Sequence, residues 1–174
     1  MNTLLETQLK RAKAAARLLK NMPTCTKNQA LDKIADALIA HSDEILEANK
    51  KDMAHAKEVN MTKAMQDRLL FTHERIVGVS EGVKKVATLP DPIGEVMESW
   101  TRPNGLKISK VRVPIGVFGI IYEARPNVTV DIASLCLKSG NACVLRGGKE
   151  AIHTNKKLVE IMKDATKDIL PEGA

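Results

Sequence analysis

The fold is decided by residues 117–148, which read VFGIIYEARPNVTVDIASLCLKSGNACVLRGG. Residues 117–122 and 142–146 are short runs that are apolar on both faces, as central strands of a parallel sheet are. Residues 128–138 carry apolar side chains at helical spacing, and residues 149–170 show the same pattern over a longer segment. The alternation of strand and helix predicts the start of a doubly wound α/β sheet.

The residues before this stretch predict two further regions. Residues 1–94 repeat apolar side chains at steps of three and four, which predicts several amphipathic helices packed as a layer. Within it, the capping-box pattern at 26–29 and Ser42 each predict the beginning of a helix. Residues 95–113 form two polar arms around a Pro-Asn-Gly turn, which predicts an exposed β-hairpin. Residues 114–174 are then predicted to form the first βαβα part of the dinucleotide-binding domain.

Composition excludes several classes of protein. The chain has 174 residues, 44% hydrophobic and 28% charged, which is typical of a globular chain rather than a disordered one. No apolar run is long enough to span a membrane, and the first residues lack the pattern of a secretory leader. Aromatic residues make up only 2%, too few for a base-stacking surface, so nucleic-acid binding rests only on the net charge of +6. Three cysteines give no disulfide framework, which predicts a cytoplasmic protein.

A candidate phosphate site follows the second predicted strand. Gly147 and Gly148 allow close approach of the backbone to a ligand, and the next helix would offer free N–H groups. Arg146 and Lys149 add positive charge on either side. The alternative interpretation is a strand-to-helix turn that needs glycine, with both cations in solvent. The segment is not a P-loop, because Cys143 stands at the first glycine of that motif and Glu150 at its Ser/Thr.

The sequence predicts neither a catalytic nucleophile nor a metal site within the chain. Cys136 and Cys143 fall in apolar segments and are interpreted as structural, and Cys25 has no histidine near it in sequence. The histidines show no metal-ligand spacing with each other or with cysteine; they are His41, His55, His73 and His153.

Residues 113–131 (VPIGVFGIIYEARPNVTVD) resemble the gamma-glutamyl phosphate reductase family, also called glutamate-5-semialdehyde dehydrogenases, a branch of the aldehyde dehydrogenase superfamily. Residues 135–142 (LCLKSGNA) and 145–153 (LRGGKEAIH) continue the resemblance, as do 89–94 (LPDPIG) and 170–174 (LPEGA). The resemblance implies an α/β fold with a helical layer, a β-hairpin arm and the first strands and helices of a Rossmann-type cofactor domain. It also implies a family chain more than twice as long, whose catalytic domain and cysteine nucleophile lie downstream.

The resemblance implies an oxidoreductase of proline biosynthesis. The family reduces L-glutamyl 5-phosphate to L-glutamate 5-semialdehyde with NADPH and releases phosphate. It further implies a cytoplasmic homo-oligomer in the full-length form, joined through the hairpin, with glutamate 5-kinase as a possible partner because that enzyme makes the substrate. Neither nucleic acid nor a membrane is an expected partner. The chain is expected to be a truncated N-terminal part that is inactive by itself.

The resemblance also assigns candidate site residues. Arg146 falls where related aldehyde dehydrogenases have a lysine that binds the adenosine ribose, and Lys149 where an acid often favours NAD. Two cations there favour a 2′-phosphate, so Arg146, Gly147, Gly148 and Lys149 are expected to bind NADP. The loop 123–127 matches the superfamily's oxyanion loop, and both Arg125 and Asn127 remain candidates for contacting the oxyanion or the substrate.

A second hypothesis comes from a different class of protein. A parallel sheet of two strands leaves an edge uncovered. Either a second copy of the chain or a further segment of the same chain would cover that edge. In the first case, the chain would be a complete, non-catalytic small protein that binds a dinucleotide or serves as an oligomeric scaffold.

Overall fold

The computed structural model describes residues 3–174, so the first two residues of the predicted segment 1–94 lie outside it. Five helices come first: α1 (Thr3–Leu19), α2 (Thr24–Ala40), α3 (Ser42–Glu58), α4 (Lys63–Leu69) and α5 (His73–Thr88). Strands β1 (Val96–Thr101) and β2 (Lys107–Val111) follow, and then β3 (Val117–Ile121), α6 (Pro126–Lys138), β4 (Ala142–Arg146) and α7 (Ile152–Thr166). A single 3-10 turn (Lys149–Ala151) precedes α7. Among these helices, none has the length and apolar character that crossing a bilayer requires.

Helix α2 lies at the centre of the core. It packs against α5, α6 and α7, and its apolar face is fully buried through Leu31, Ala35 and Leu38. The predicted helical layer is therefore confirmed, and α3 begins at Ser42 as expected. The prediction that a helix begins within 26–29 was wrong, because α2 begins at Thr24. Its first intrahelical bond runs from Lys27 N–H to the Pro23 carbonyl at 3.1 Å, which places the capping-box pattern inside the first turn.

Strands β1 and β2 form the predicted hairpin. They pair antiparallel with Trp100 opposite Ile108, and the turn closes through Gly105 N–H, which donates to the Arg102 carbonyl at 2.9 Å. Gly105 has a φ of +86°, a conformation that favours glycine. Every residue of β1 is exposed and Trp100 is 44% exposed, so the hairpin stands away from the core.

Strands β3 and β4 pair in parallel, from Val117 opposite Ala142 to Ile121 opposite Arg146. The predicted strand–helix–strand–helix order is confirmed, with different helix limits. Helix α6 begins at Pro126, because proline is well suited to the first helical position, and this puts Asn127 on the helix rather than in the loop. Helix α7 begins at Ile152 and ends at Thr166, so it is shorter than the predicted 149–170.

A buried polar cluster joins the helical layer to the end of α6. The Lys138 ammonium donates to the Ala87 carbonyl at 2.8 Å and to Asn28 Oδ1 at 2.7 Å. Lys27 is 1% exposed, pairs with the Asp91 carboxylate and donates to the Lys138 carbonyl at 3.2 Å. Burial opposes ionisation of Asp91, but the hydrogen bonds from Lys27, Thr24 and the Ile93 N–H outweigh it and hold its pKa below the usual value. These contacts fix α6, and with it the sheet, against α2 and α5.

Candidate cofactor and substrate site

Two loops run side by side at the carboxyl ends of β3 and β4. Tyr122 N–H donates to the Arg146 carbonyl at 3.1 Å, which extends the pairing by one residue beyond the end of β3. A Cβ atom built on Gly148 would lie 3.2 Å from the Ala124 nitrogen. Ligands of open α/β sheets bind at this edge, so the predicted cofactor residues and the predicted oxyanion loop are neighbours.

The diglycine bend is tightly enclosed by the chain itself. A Cβ on Gly147 would lie 2.3 Å from Asn155 Nδ2 and 3.0 Å from the Tyr122 hydroxyl. Tyr122 donates to Thr129 Oγ1 at 2.5 Å, since Thr129 uses its own proton to donate to Asn155 Oδ1 at 2.9 Å. Burial raises the pKa of Tyr122, which keeps its hydroxyl protonated. Glycine is therefore required at 147 for internal packing, whether or not a ligand approaches.

The N-terminus of α7 is not open for a phosphate, contrary to the expectation from the sequence. The Asp52 carboxylate on α3 accepts the N–H groups of His153 at 3.1 Å and Thr154 at 2.8 Å. It also accepts the Thr154 hydroxyl at 2.6 Å. Asp52 is 2% exposed, so a buried acid already occupies the position that the helix dipole offers to an anion. A phosphate at this edge would depend on side-chain cations instead.

Arg146 and Lys149 supply such cations. Both side chains are exposed, and within residues 3–174 neither forms an ion pair. Gly147 and Gly148 separate them, and a Cβ on Gly148 would lie 2.5 Å from a Glu150 carboxylate oxygen. This acid lies against the bend itself, and it is only half-buried.

A cleft of about 470 Å³ lies beside the other loop, within the range of about 300–1,000 Å³ that small-molecule sites occupy. We call it the α5–α6 cleft. Its lining comes from α4, α5, the segment between them and the start of α6: Asp67, Arg68, Leu70, Phe71, Arg75, Gly78, Val79, Arg125, Asn127 and Asp131. The structure thus brings the two oxyanion candidates, Arg125 and Asn127, together in one cleft. Arg146 and Lys149 do not line it.

The three arginines of the cleft differ in how far they are engaged. Arg75 donates through Nη1 to the Asp67 and Leu70 carbonyls and through Nη2 to Asp67 Oδ1 at 2.8 Å, so it fixes the link between α4 and α5. Arg68 has a loose ion pair with Glu123 at 3.8 Å. Arg125 is exposed, and no described acid lies within ion-pair distance of it. Arg68 and Arg125 therefore have donors available for an anion.

Asn127 is held by the acid one helical turn further along α6. Its Nδ2 donates to Asp131 Oδ2 at 3.0 Å, which fixes the amide and leaves its second N–H free to donate. Burial raises the pKa of Asp131, and the bond from Asn127 only partly offsets this. An amide fixed in this way is suited to donate to a developing oxyanion.

The cysteines are placed as the sequence predicts. Cys136 is buried on α6, and Cys143 on β4 is half-buried beside it. A hydrogen bond to Cys136, followed by burial, raises the pKa of the Cys143 thiol, which makes this thiol a poor nucleophile. Cys25 is exposed at the start of α2. In the part of the chain that is described, no three His, Cys, Asp or Glu side chains lie close enough to hold a metal ion.

Sequence reasoning missed several residues of the site. Asp131 could have been predicted from the sequence, because it lies four residues after Asn127, and residues at this spacing on a helix are neighbours. Arg68 and Arg75 come from the helical layer, and nothing in their local sequence indicates contact with α6. The same holds for Asp52, which contacts a helix about one hundred positions later.

Comparison with known proteins identifies the class of protein that this fold and site define. The sequence profile of the Aldehyde dehydrogenase family matches residues 3–174. The chain belongs to the aldehyde dehydrogenase family.

Its relatives within that family are gamma-glutamyl phosphate reductases, as the sequence resemblance predicted. The Clostridium novyi (strain NT) reductase is 56% identical over 164 residues, which cover 94% of this chain and 39% of that protein. The Geobacillus sp. (strain WCH70) reductase is 54% identical over 97% of this chain and 40% of that protein. The crystal structure of the Thermotoga maritima reductase superposes with a TM-score of 0.95 at 44% identity, covering 99% of this chain and 41% of that one. The chain spans about two fifths of the length of the relatives it matches.

Proposed function

We propose that this chain forms the cofactor-binding side of an NADP-dependent gamma-glutamyl phosphate reductase, also called glutamate-5-semialdehyde dehydrogenase. The whole enzyme would reduce L-glutamyl 5-phosphate to L-glutamate 5-semialdehyde and release phosphate, in the cytoplasm, as a step of proline biosynthesis. The names and the 50–56% identities of its relatives support the reaction. The nucleophilic cysteine would come from residues outside this sequence, since Cys25, Cys136 and Cys143 all lie away from the α5–α6 cleft.

One observation carries the proposal: the loop 122–125 borders both candidate sites. Ala124 contacts the diglycine bend between Arg146 and Lys149, and Arg125 lines the α5–α6 cleft. Hydride transfer requires that the nicotinamide reach the acyl group. A cofactor whose adenosine end lies on the bend would extend along this loop toward the cleft, where its nicotinamide would meet the substrate.

The residues have distinct roles in this proposal. NADPH would supply the hydride. Arg146 and Lys149 would bind its adenosine 2′-phosphate through charge-assisted hydrogen bonds, without help from the capped N-terminus of α7. Gly147 and Gly148 would keep the backbone close to Tyr122 and Ala124, so that the two cations flank a shallow surface. Asn127 would donate to the acyl oxygen, and Arg125 to the phosphate that leaves.

The test compares the two nicotinamide cofactors in a full-length enzyme that joins this sequence to the remaining part of the Clostridium novyi reductase. Replacing one charged donor to a phosphate costs about 1.5–3 kcal/mol, so Arg146→Ala should raise the KM for NADP about 10- to 100-fold. The KM for NAD should change less than about threefold, because NAD lacks the 2′-phosphate. Lys163→Ala, an exposed cation on α7, is the matched control. Equal changes in both Michaelis constants would refute the role of Arg146.

The hairpin is the proposed contact between subunits. Val96, Met97 and Trp100 are 44–56% exposed on one short ribbon, and such apolar exposure is typical of a surface that a partner covers. We propose a homo-oligomer of the full-length enzyme that is joined through residues 95–113, with glutamate 5-kinase as a further candidate partner. Sedimentation of the Trp100→Glu variant should show a smaller species than the unmodified enzyme. An unchanged sedimentation coefficient would exclude the hairpin as the main contact.

A further inference from the structure

Asp131 is an acid without a cation in a cleft that is otherwise rich in arginine. Its Oδ2 accepts from Asn127 at 3.0 Å, and its Oδ1 has no partner among the described residues. Asp67, the other acid of the cleft, is already paired with Arg75 at 2.8 Å. Asp131 is also half-buried, whereas Asp67 is exposed. Asp131 therefore differs from Asp67 in two ways: it is half-buried, and no cation of the described chain pairs with it, so its Oδ1 is free to accept a hydrogen bond from a ligand.

This arrangement is unfavourable in the empty protein. Burial removes part of the hydration that stabilises a carboxylate, and no lysine, arginine or histidine within the described chain lies close enough to Asp131 to compensate. Acids kept in this state in a cleft are common at functional sites, where a ligand supplies the missing charge. The ligand that would restore the balance at Asp131 is a cation or an ammonium group.

The cleft also offers the opposite complement. Arg68 and Arg125 have guanidinium donors that no tight ion pair occupies, whereas Arg75 is engaged with backbone carbonyls. Guanidinium groups bind carboxylate and phosphate through paired hydrogen bonds. A ligand that pairs with Arg68, Arg125 and Asp131 carries anionic groups together with one ammonium group. This is the charge pattern of an amino acid with an acyl phosphate.

Resting on the proposed function, we propose that Asp131 binds the α-ammonium group of the glutamyl substrate and thereby restricts the enzyme to substrates that are amino acids. The spacing agrees with this role. Side chains four residues apart on a helix have Cβ atoms about 5–6 Å apart, and the acyl carbon of a glutamyl group is three carbon–carbon bonds of about 1.5 Å from the carbon that bears the ammonium. Asn127 can therefore hold the acyl end of the substrate while Asp131 holds the amino end.

The competing explanation is that Asp131 only positions Asn127. The Asp131→Asn variant separates the two roles. Asparagine keeps an oxygen that accepts from Asn127 Nδ2, so the amide stays in place, but the negative charge is lost. A positioning role would then leave both amino and des-amino substrates almost unaffected or reduce both by the same factor. A binding role would affect only the substrate that carries the ammonium group.

The experiment measures the reverse reaction of the full-length fusion enzyme with NADP, phosphate and one of two aldehydes. These are L-glutamate 5-semialdehyde and 5-oxopentanoate, which differ only in the amino group. For Asp131→Asn we expect kcat/KM with the semialdehyde to fall about 10- to 100-fold, mostly through KM, while kcat/KM with 5-oxopentanoate stays within about twofold. The semialdehyde cyclises in solution, but this cancels when the same substrate is compared between variants.

Two control variants and two contrary results decide the outcome. Asp131→Glu retains the charge and should recover part of the preference for the amino substrate. Asp67→Asn, in the same cleft but paired with Arg75, should change kcat/KM by the same factor for both aldehydes. Equal losses with both aldehydes in Asp131→Asn would overturn the inference and leave the proposed function standing. An unmodified fusion enzyme that folds but oxidises neither aldehyde would overturn both.

Discussion

The carboxylate of Asp52 accepts the backbone N–H of Thr154 at 2.8 Å and so caps α7 from a helix 102 positions earlier in the chain. The same acid accepts the Thr154 hydroxyl, and Asn49 one turn before it donates to that hydroxyl at 3.1 Å. Asn49 also accepts from Phe71 N–H at 2.8 Å. This buried group of side chains joins α3, the segment between α4 and α5, and α7, and it fixes the helix that follows the candidate cofactor site.

Asp52→Asn should therefore destabilise the protein. Asparagine has one accepting oxygen and places an NH2 group against a backbone N–H that needs an acceptor. Loss of a charge-assisted cap with one buried donor left unsatisfied costs about 1.5–3 kcal/mol, so the urea midpoint should fall without a change in slope. Asp164→Asn, exposed on α7, should change stability by less than about 0.5 kcal/mol. A midpoint equal to that of the control would mean that Asp52 does not cap α7.

The secondary structure was largely predictable, because it depends on local periodicity. The apolar runs 117–122 and 142–146 became a parallel strand pair, and the Pro-Asn-Gly turn became the hairpin. Helix limits were less predictable. The pattern at 26–29 matches a capping box, but Pro23 already provides a rigid start, and Pro126 likewise begins α6 earlier than the apolar spacing suggests.

The candidate site was predictable only in part, because half of it depends on contacts between distant segments. Arg125, Asn127, Arg146 and Lys149 follow strands and stand out in the sequence. Two of the N–H groups predicted to be free at the start of α7 are bound by Asp52, which comes from α3 and whose sequence gives no sign of that contact. The arginines of the α5–α6 cleft were missed for the same reason: the contact of α5 with α6 is a property of the packed helices.

A methyl group at position 147 should disturb the turn between β4 and α7. The added carbon would overlap Asn155 Nδ2 at 2.3 Å and approach the Tyr122 ring at 3.0 Å. Neither side chain moves freely, because Thr129 bonds to both in a buried network. Gly147→Ala should lower the free energy of unfolding by about 1–3 kcal/mol, as overpacked positions do. Thermal unfolding followed by circular dichroism measures this.

The matched control for this variant is Gly82→Ala. Gly82 lies within α5, where nothing is within 4 Å of an added Cβ, so alanine should raise stability by about 0.5–1 kcal/mol through its better helix propensity. If Gly147→Ala is as stable as the unmodified protein, the bend is looser than these contacts imply. Its glycines would then be explained by a ligand rather than by packing.

The three thiols should react at very different rates. Cys25 is exposed, whereas Cys136 is 7% exposed and the pKa of Cys143 is raised by its bond to Cys136 and by burial. A disulfide reagent attacks through the thiolate, so we expect one fast thiol in the native protein and three after denaturation. Cys25→Ser should abolish the fast phase and leave the slow one. A fast phase that survives this substitution would show that the pair between α6 and β4 opens readily.

Replacing Asp131 by asparagine should not cost stability near neutral pH. Burial raises the pKa of Asp131 above its usual value of 3.8, so the folded protein binds this proton more tightly than the unfolded chain does. The free energy of unfolding therefore falls as the pH rises through the folded pKa, and ionised Asp131 opposes folding above it. An asparagine side chain at this position cannot ionise and keeps the acceptor for Asn127. The difference in unfolding free energy, variant minus unmodified protein, should thus be more positive at about pH 7 than at about pH 4.

Urea unfolding of both proteins at the two pH values measures this difference. Asp164→Asn is the control variant and should show no such trend. A variant that loses stability specifically at the higher pH would mean that a cation of the folded chain already neutralises Asp131, and the acid would then not be free to bind a substrate ammonium.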